Sequence, residues 1–136
     1  MADVVLDFTI KNSIDKVWEA LTDSKILSQW IWDNNFNSEV GEKSEFRAPA
    51  TDWWDGVVNI ETLVAEKPEK LVYTWATMGE TTKISWLLSD NGDGTTELHF
   101  EQDGFSDETK AREGAIAGAT YAWTENIGKL SGLLEG

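Results

Sequence analysis

The sequence predicts an α+β domain: a curved antiparallel sheet of about seven strands laid against a long C-terminal helix, with two short helices after the first strand. Three observations carry this reading. Between Asp107 and Leu134, residues Ile116, Thr120, Trp123, Ile127, Leu130 and Leu134 recur at alternating steps of four and three. That spacing places all six on one face of a helix. The middle of the chain alternates apolar and polar residues in short runs, the pattern of strands buried on one face. The runs are joined by short turns, so neighbours pair antiparallel.

Each element follows in order. Asp3 to Ile10 reads as a strand, with Val4, Leu6, Phe8 and Ile10 on one side. Asn12 or Ser13 caps a helix carrying Ile14, Val17, Trp18 and Leu21 at helical spacing, with Asp15 favoured in its first turn. Thr22, Asp23 and Ser24 end it and open a shorter helix that buries Ile26, Leu27 and Trp30. The polar stretch from Trp32 to Gly41 predicts a short strand at Phe36 to Val40, and Lys43 to Ala48 predicts another around Phe46. Pro49 to Asp55 is a loop carrying Trp53 and Trp54. Gly56 to Ala65 places Val58, Ile60, Thr62 and Val64 on one face. Leu71 to Thr77 places Leu71, Tyr73, Trp75 and Thr77 together, and Thr81 to Ser89 does so for Thr82, Ile84, Trp86 and Leu88. The hairpin signal Asn91-Gly92-Asp93-Gly94 leads to a last strand, Thr95 to Gln102. Its Thr96, Leu98 and Phe100 face inward, and Glu97, His99 and Glu101 face water. Ser106 or Asp107 caps the final helix. Ala115, Ala119 and Ala122 form a small flank there, which predicts space between helix and sheet.

Composition narrows the function. The 136 residues make one domain, 1–136, and can bury a real core. A formal net charge of −14 repels phosphate backbones and anionic membranes. No nucleic-acid or membrane partner is therefore expected. The absence of cysteine excludes disulfides and thiol catalysis. The N-terminus lacks the apolar run of a signal peptide, and a cytoplasmic location is expected.

The order and spacing of several segments resemble a known family. These are Val17-Trp18, Leu21-Thr22-Asp23, Trp30, Val40-Gly41, Gly56-Val57, Leu71-Val72-Tyr73-Thr74-Trp75, Gly94-Thr95-Thr96-Glu97-Leu98, Gly104-Phe105, and the terminal helix around Trp123 and Leu130. Over nearly the whole chain they resemble the START-like (SRPBCC) superfamily. Within it they resemble bacterial proteins similar to the C-terminal domain of the heat shock protein ATPase activator. The resemblance implies a helix-grip fold with a cavity between sheet and helix. It also implies binding of lipids, polyketides or other apolar molecules, or a chaperone-associated role. The chain starts directly at its first strand, so the activator's extra N-terminal domain is expected to be missing.

The candidate ligand-binding residues are Phe46, Tyr73, Trp75, Trp86 and Phe100 on the sheet, with Ala119, Thr120 and Trp123 opposite and Trp54 in a lid loop. Ligand pockets are mostly apolar and aromatic with a few polar groups. Tyr73, Thr82, Thr120 and the indoles are the polar candidates. The same rings also suit a filled core, and pattern alone leaves both readings open. Enzyme readings find little support. The lone His99 lies on the outer face, and no metal set, cofactor motif or Ser-His-Asp arrangement is legible. Glu39, Glu61 and Glu125 would serve as acid or base only if the faces were reversed. The expected function is thus a non-catalytic carrier or sensor of a lipid, polyketide or flavonoid-like molecule, acting as a monomer or weak dimer. A chaperone-associated module is the alternative, and a cyclase or hydrolase using the same cavity comes third.

Overall fold

The computed structural model describes residues 2–52 and 54–135. Its sheet is seven-stranded and antiparallel throughout, in the order β1-β7-β6-β5-β4-β3-β2. The strands are β1 (Val4–Ile10), β2 (Asp33–Asn34), β3 (Lys43–Arg47), β4 (Val57–Glu66), β5 (Lys70–Thr77), β6 (Glu80–Asp90) and β7 (Thr96–Asp103). Two short helices, α1 (Ile14–Thr22) and α2 (Ser24–Trp30), follow β1. With the long C-terminal helix, this is the helix-grip architecture.

Local chemistry sets the helix ends. The Ser13 side chain accepts from the Lys16 amide and opens α1. Asp23 serves both helices. Its backbone N–H donates to Glu19 and closes α1, while its carboxylate accepts from the Lys25 and Ile26 amides and opens α2. Trp30 Nε1 donates to the Ala20 carbonyl at 3.0 Å, so the pair folds back as one buried unit.

Two expectations change on the sheet side. The strand expected at Phe36 to Val40 lies instead at Asp33–Asn34. Asparagine side chains take the amides that a strand would pair: Asn34 Oδ1 accepts from Phe36 and Asn37 Oδ1 from Glu39. Phe36 is buried regardless, and Val40 is exposed. Val64 does not share the inner face of β4. A register shift between Thr62 and Val64 sets Val64 opposite Val72 and returns Ala65 to the side of Leu71. Leu63, at the shift, is exposed.

The final helix is also divided. Ser106 caps a short α3 (Asp107–Ala111), which ends at an extended Arg112. Gly114 has a φ of +80°, a left-handed conformation that glycine adopts freely, and α4 (Ala115–Glu135) begins beyond it. The six-residue apolar face survives. Trp123, Ile127 and Leu130 are buried, and Ile116, Thr120 and Leu134 are half-buried. Ala122 is exposed and Ala115 and Ala119 are half-buried, Ala119 packing against the core. The backbone of α4 approaches β1, at one edge of the sheet, together with α1 and α2.

An aromatic wedge as the candidate functional site

Register defines the inner face. One row reads Ser44, Ile60, Trp75, Thr82 across β3 to β6, and the next reads Thr62, Tyr73, Ile84, Gln102 across β4 to β7. Deeper still lie Leu71, Trp86, Phe100 and Leu6. The rings on this face touch in an unbroken network. Trp86 meets Trp30 at 5.9 Å, Phe100 at 4.8 Å and Trp123 at 5.8 Å between centroids. Trp123 meets Phe100 at 4.7 Å and Trp75 at 5.1 Å. Trp75 continues to Phe46 at 5.6 Å and Trp32 at 6.2 Å, and Trp32 to Trp54 at 5.6 Å. All fall within the range of favourable aromatic pairs.

Burial divides this network in two. Phe46, Tyr73, Trp86, Phe100 and Trp123 are buried, together with Trp30. Trp32, Trp54 and Trp75 are half-buried, as are Ala119, Thr120 and Ile116 on the N-terminal half of α4. The sheet and helix therefore close tightly around Ile127 and Leu130 and less tightly around Trp75 and Ala119. The nine residues singled out from sequence divide accordingly. Five form the sealed interior, and Trp54, Trp75, Ala119 and Thr120 line the looser end. Trp53 lies outside the described residues.

The polar handles divide the same way. Trp86 Nε1 donates to Tyr73 Oη at 2.9 Å, and burial pushes the Tyr73 phenol above its ordinary pKa, so it stays protonated. Trp123 Nε1 donates to Gln102 Oε1 at 3.0 Å, Gln102 Nε2 donates to Thr82 Oγ1 at 3.0 Å, and Thr82 Oγ1 donates to the Trp75 carbonyl at 3.3 Å. This relay pins the middle of α4 to β5, β6 and β7. Thr120 Oγ1 turns back to the Ile116 carbonyl. Tyr73, Thr82 and Thr120 are thus bonded within the protein. At the looser end, Trp54 Nε1 donates to Thr77 Oγ1 at 2.7 Å, fastening the loop before β4 to β5. The indole N–H groups of Trp32 and Trp75 have no partner among the described residues.

Gln102, Ser44 and Trp32 were absent from the sequence-derived set. Gln102 continues the inward alternation of Thr96, Leu98 and Phe100, and Ser44 precedes the inward Phe46 by one period. Trp32 sits in a polar stretch with no periodic signal, and only the fold brings it to Trp75.

Open clefts lie elsewhere. One of about 820 Å³ runs between loop 50–55 and the β5–β6 turn, and Trp54 forms part of its wall. Another of about 450 Å³ crosses the outer face at Lys43, Asn59, Glu61 and Thr74. Glu39 and Glu125 are exposed, and Glu61 lies opposite Lys43 on the outer face. No group of three metal-ligating side chains occurs among the described residues, and no helix there is long and apolar enough to cross a membrane.

His99 is on the outer face, as its alternation predicts. Its Nδ1 lies 2.6 Å from Asp7 Oδ1 and its Nε2 2.7 Å from Glu101 Oε2. The hydrogen bond to Asp7, then that to Glu101, raises its pKa against a smaller opposing effect of burial. Leu87 and Thr9 flank it across and along the neighbouring strands, with Glu97 on its own strand. A raised folded-state pKa means that this contribution to stability is complete below the unfolded imidazole value of about 6.5 and is lost as pH rises through the folded value. We expect the Tm of the wild type to fall toward that of His99→Gln across this window. A Tm difference that does not change with pH would contradict the charge assignment.

The fold now has counterparts. The family model "Activator of Hsp90 ATPase homolog 1-like protein" matches residues 11–135. The chain belongs to this family. Protein MLL2253 from Mesorhizobium loti shares 30% identity, covers 97% of this chain and 96% of its own, and superposes with a TM-score of 0.85. The Aha1 dimer from Colwellia psychrerythraea is 21% identical over 97% of this chain and 95% of its own, with a TM-score of 0.80. PFC0360w, an HSP90 activator from Plasmodium falciparum, is 15% identical over 97% of this chain and 96% of its own, with a TM-score of 0.75. The last two show a shared fold alone. No curated protein matches the chain.

Proposed function

We propose that this member of the Hsp90 ATPase activator homologue family is a non-catalytic binder of a small apolar or aromatic molecule. The molecule is taken between β5 and the N-terminal half of α4. The observation that carries this is the contrast within one ring network. Its deep members are buried, with the indole N–H groups of Trp30, Trp86 and Trp123 bonded inside the protein, while Trp32, Trp54 and Trp75 are half-buried, as is Ala119 on α4. Contiguous half-exposed aromatic surface is costly to leave against water and favourable to cover with another ring. Trp54, hinged on Thr77, serves as the lid, and the ligand inserts beneath it between Trp75 and Ala119. Phe46, Tyr73, Trp86, Phe100 and Trp123 form the rigid wall behind.

The reading is tested by paired variants titrated with flavonoid-like aromatics, fatty acids and polyketides. Trp75→Ala removes the floor of the wedge, and Ala119→Trp fills it. Each is expected to weaken binding by roughly tenfold or more while the thermal unfolding transition remains cooperative. Unchanged affinity in both variants would show that the site lies elsewhere.

Family membership also favours a second reading, a chaperone-associated module. The −14 charge would then dock a basic surface of the chaperone. Addition of the protein would change the chaperone's ATPase rate, and an unaltered rate would dispose of this reading.

A further inference from the structure

Ser44 stands apart from every other buried polar side chain in the described structure. It is 8% exposed, and its Oγ is the one buried side-chain N or O atom among the described residues without a hydrogen-bond partner. Buried hydroxyls are ordinarily paired, because leaving one unpaired costs its desolvation energy. Thr62 on the neighbouring strand solves the same problem by donating to the Asn37 carbonyl at 2.7 Å, and Thr82 by joining the Gln102 relay. Ser44 faces inward opposite Ile60, whose other neighbour is Trp75. An unpaired hydroxyl and an unpaired indole N–H therefore flank Ile60 in the row that borders the half-buried wedge.

The remaining inner-face chemistry bears on charge. The buried polar side chains are Ser44, Thr62, Thr82, Thr96 and Gln102, and no buried residue in the described structure carries a charge. An ion brought to this face would lose water and meet no counter-charge, which is strongly unfavourable. A neutral oxygen would meet two groups able to bond it: Trp75 Nε1 as donor, and Ser44 Oγ as donor or acceptor.

We infer that the ligand is a neutral aromatic molecule bearing a hydroxyl or carbonyl oxygen, and that Ser44 selects that oxygen. This rests on the binding reading above and narrows it. A carboxylate-bearing lipid and a bare hydrocarbon are both less favoured, the first by desolvation and the second because it gains no bond from Ser44.

The test uses three probes of one ring size, naphthalene, 2-naphthol and 2-naphthoate, followed by amide NMR titration of the wild type and of Ser44→Ala. Wild type is expected to bind 2-naphthol about tenfold more tightly than naphthalene, a typical worth for one buried hydrogen bond. It should bind 2-naphthoate most weakly. Ser44→Ala should erase the preference for 2-naphthol while leaving naphthalene affinity unchanged, and should raise the Tm, because an unpaired buried hydroxyl has been removed. Should 2-naphthol and naphthalene bind equally to wild type, or should Ser44→Ala keep the preference, Ser44 is not the selecting group and the wedge itself still stands. If 2-naphthoate binds best, the neutrality of the site is wrong. If none of the three binds, the binding reading fails and the assignment of Ser44 fails with it.

Discussion

Trp86→Ala is expected to destabilise the domain by about 3–5 kcal/mol, the usual cost of deleting a large buried ring. Trp86 is 1% exposed and touches Trp30, Phe100 and Trp123, so its ring joins α2, β7 and α4 across the sheet. Its removal also leaves Tyr73 Oη without the donor it accepts. In a domain of this size a loss of 4 kcal/mol lowers Tm by roughly 10 °C or more. Denaturant unfolding gives the value directly. The comparison with Trp75→Ala is the informative part. Both residues are tryptophans on the inner face and members of one ring network. Trp86 should behave as core and Trp75 as binding surface. Equal losses of stability in the two variants would remove the distinction on which the wedge depends.

The next largest effect is expected at Gln102. Gln102→Leu keeps the volume and removes the amide at the centre of the relay. Trp123 Nε1 loses its acceptor and Thr82 Oγ1 loses an incoming donor, while the surroundings stay buried. A loss of about 2–4 kcal/mol follows from orphaning buried groups in this way. Removing the orphan should restore part of it. Replacing Trp123 with Phe in the Gln102→Leu background takes away the unpaired N–H. The double variant is therefore expected to lie above the sum of the single losses by about 1–2 kcal/mol. Strict additivity in the cycle, measured by denaturant unfolding, would mean that the bond between Gln102 and Trp123 carries no net stability.

These two residues also show what the sequence reveals. Trp86 was legible because β6 alternates without interruption and its inner positions are all apolar or Thr. Gln102 obeys the same alternation, but a polar residue at the end of a strand reads as an edge. Its meaning depends on Trp123 and Thr82, far away in the chain. The helical face of α4 was legible from spacing. The break before it was not, because Gly114 is one of several glycines in the segment, and Gly118, Gly128 and Gly132 sit inside the helix without a left-handed φ. Leu63, Val64 and Ala65 are all apolar, so no polarity marks the point where β4 slips its register. The short strand was misplaced because asparagine side chains satisfy the backbone after Asn34, a competition that apolar periodicity does not record.

The candidate site followed the same division. Its buried wall was readable as alternating aromatics. Its open edge was not, since Trp32 reaches Trp75 through the packing of α2 against the sheet and Ser44 matters only because nothing in the fold bonds it. Sequence period identifies which face a residue occupies. Whether that residue is sealed or half-open is set by the approach of α4, which lies close to β1 and leaves the Trp75–Thr77 end of β5 half-buried while the inner residues of β4 are sealed.

The central claim is that the looser end of the ring network is a binding surface. The most direct measurement is a two-dimensional amide NMR titration of the full chain with a flavonoid-like aromatic, followed to saturation. Saturable shifts are expected at Trp32, Trp54, Trp75, Ala119 and Thr120, including the indole N–H signals of Trp32 and Trp75, with little change at Ile127 and Leu130. A well-dispersed spectrum that does not shift, or shifts confined to the outer clefts around Asn59 and Glu61, would contradict it.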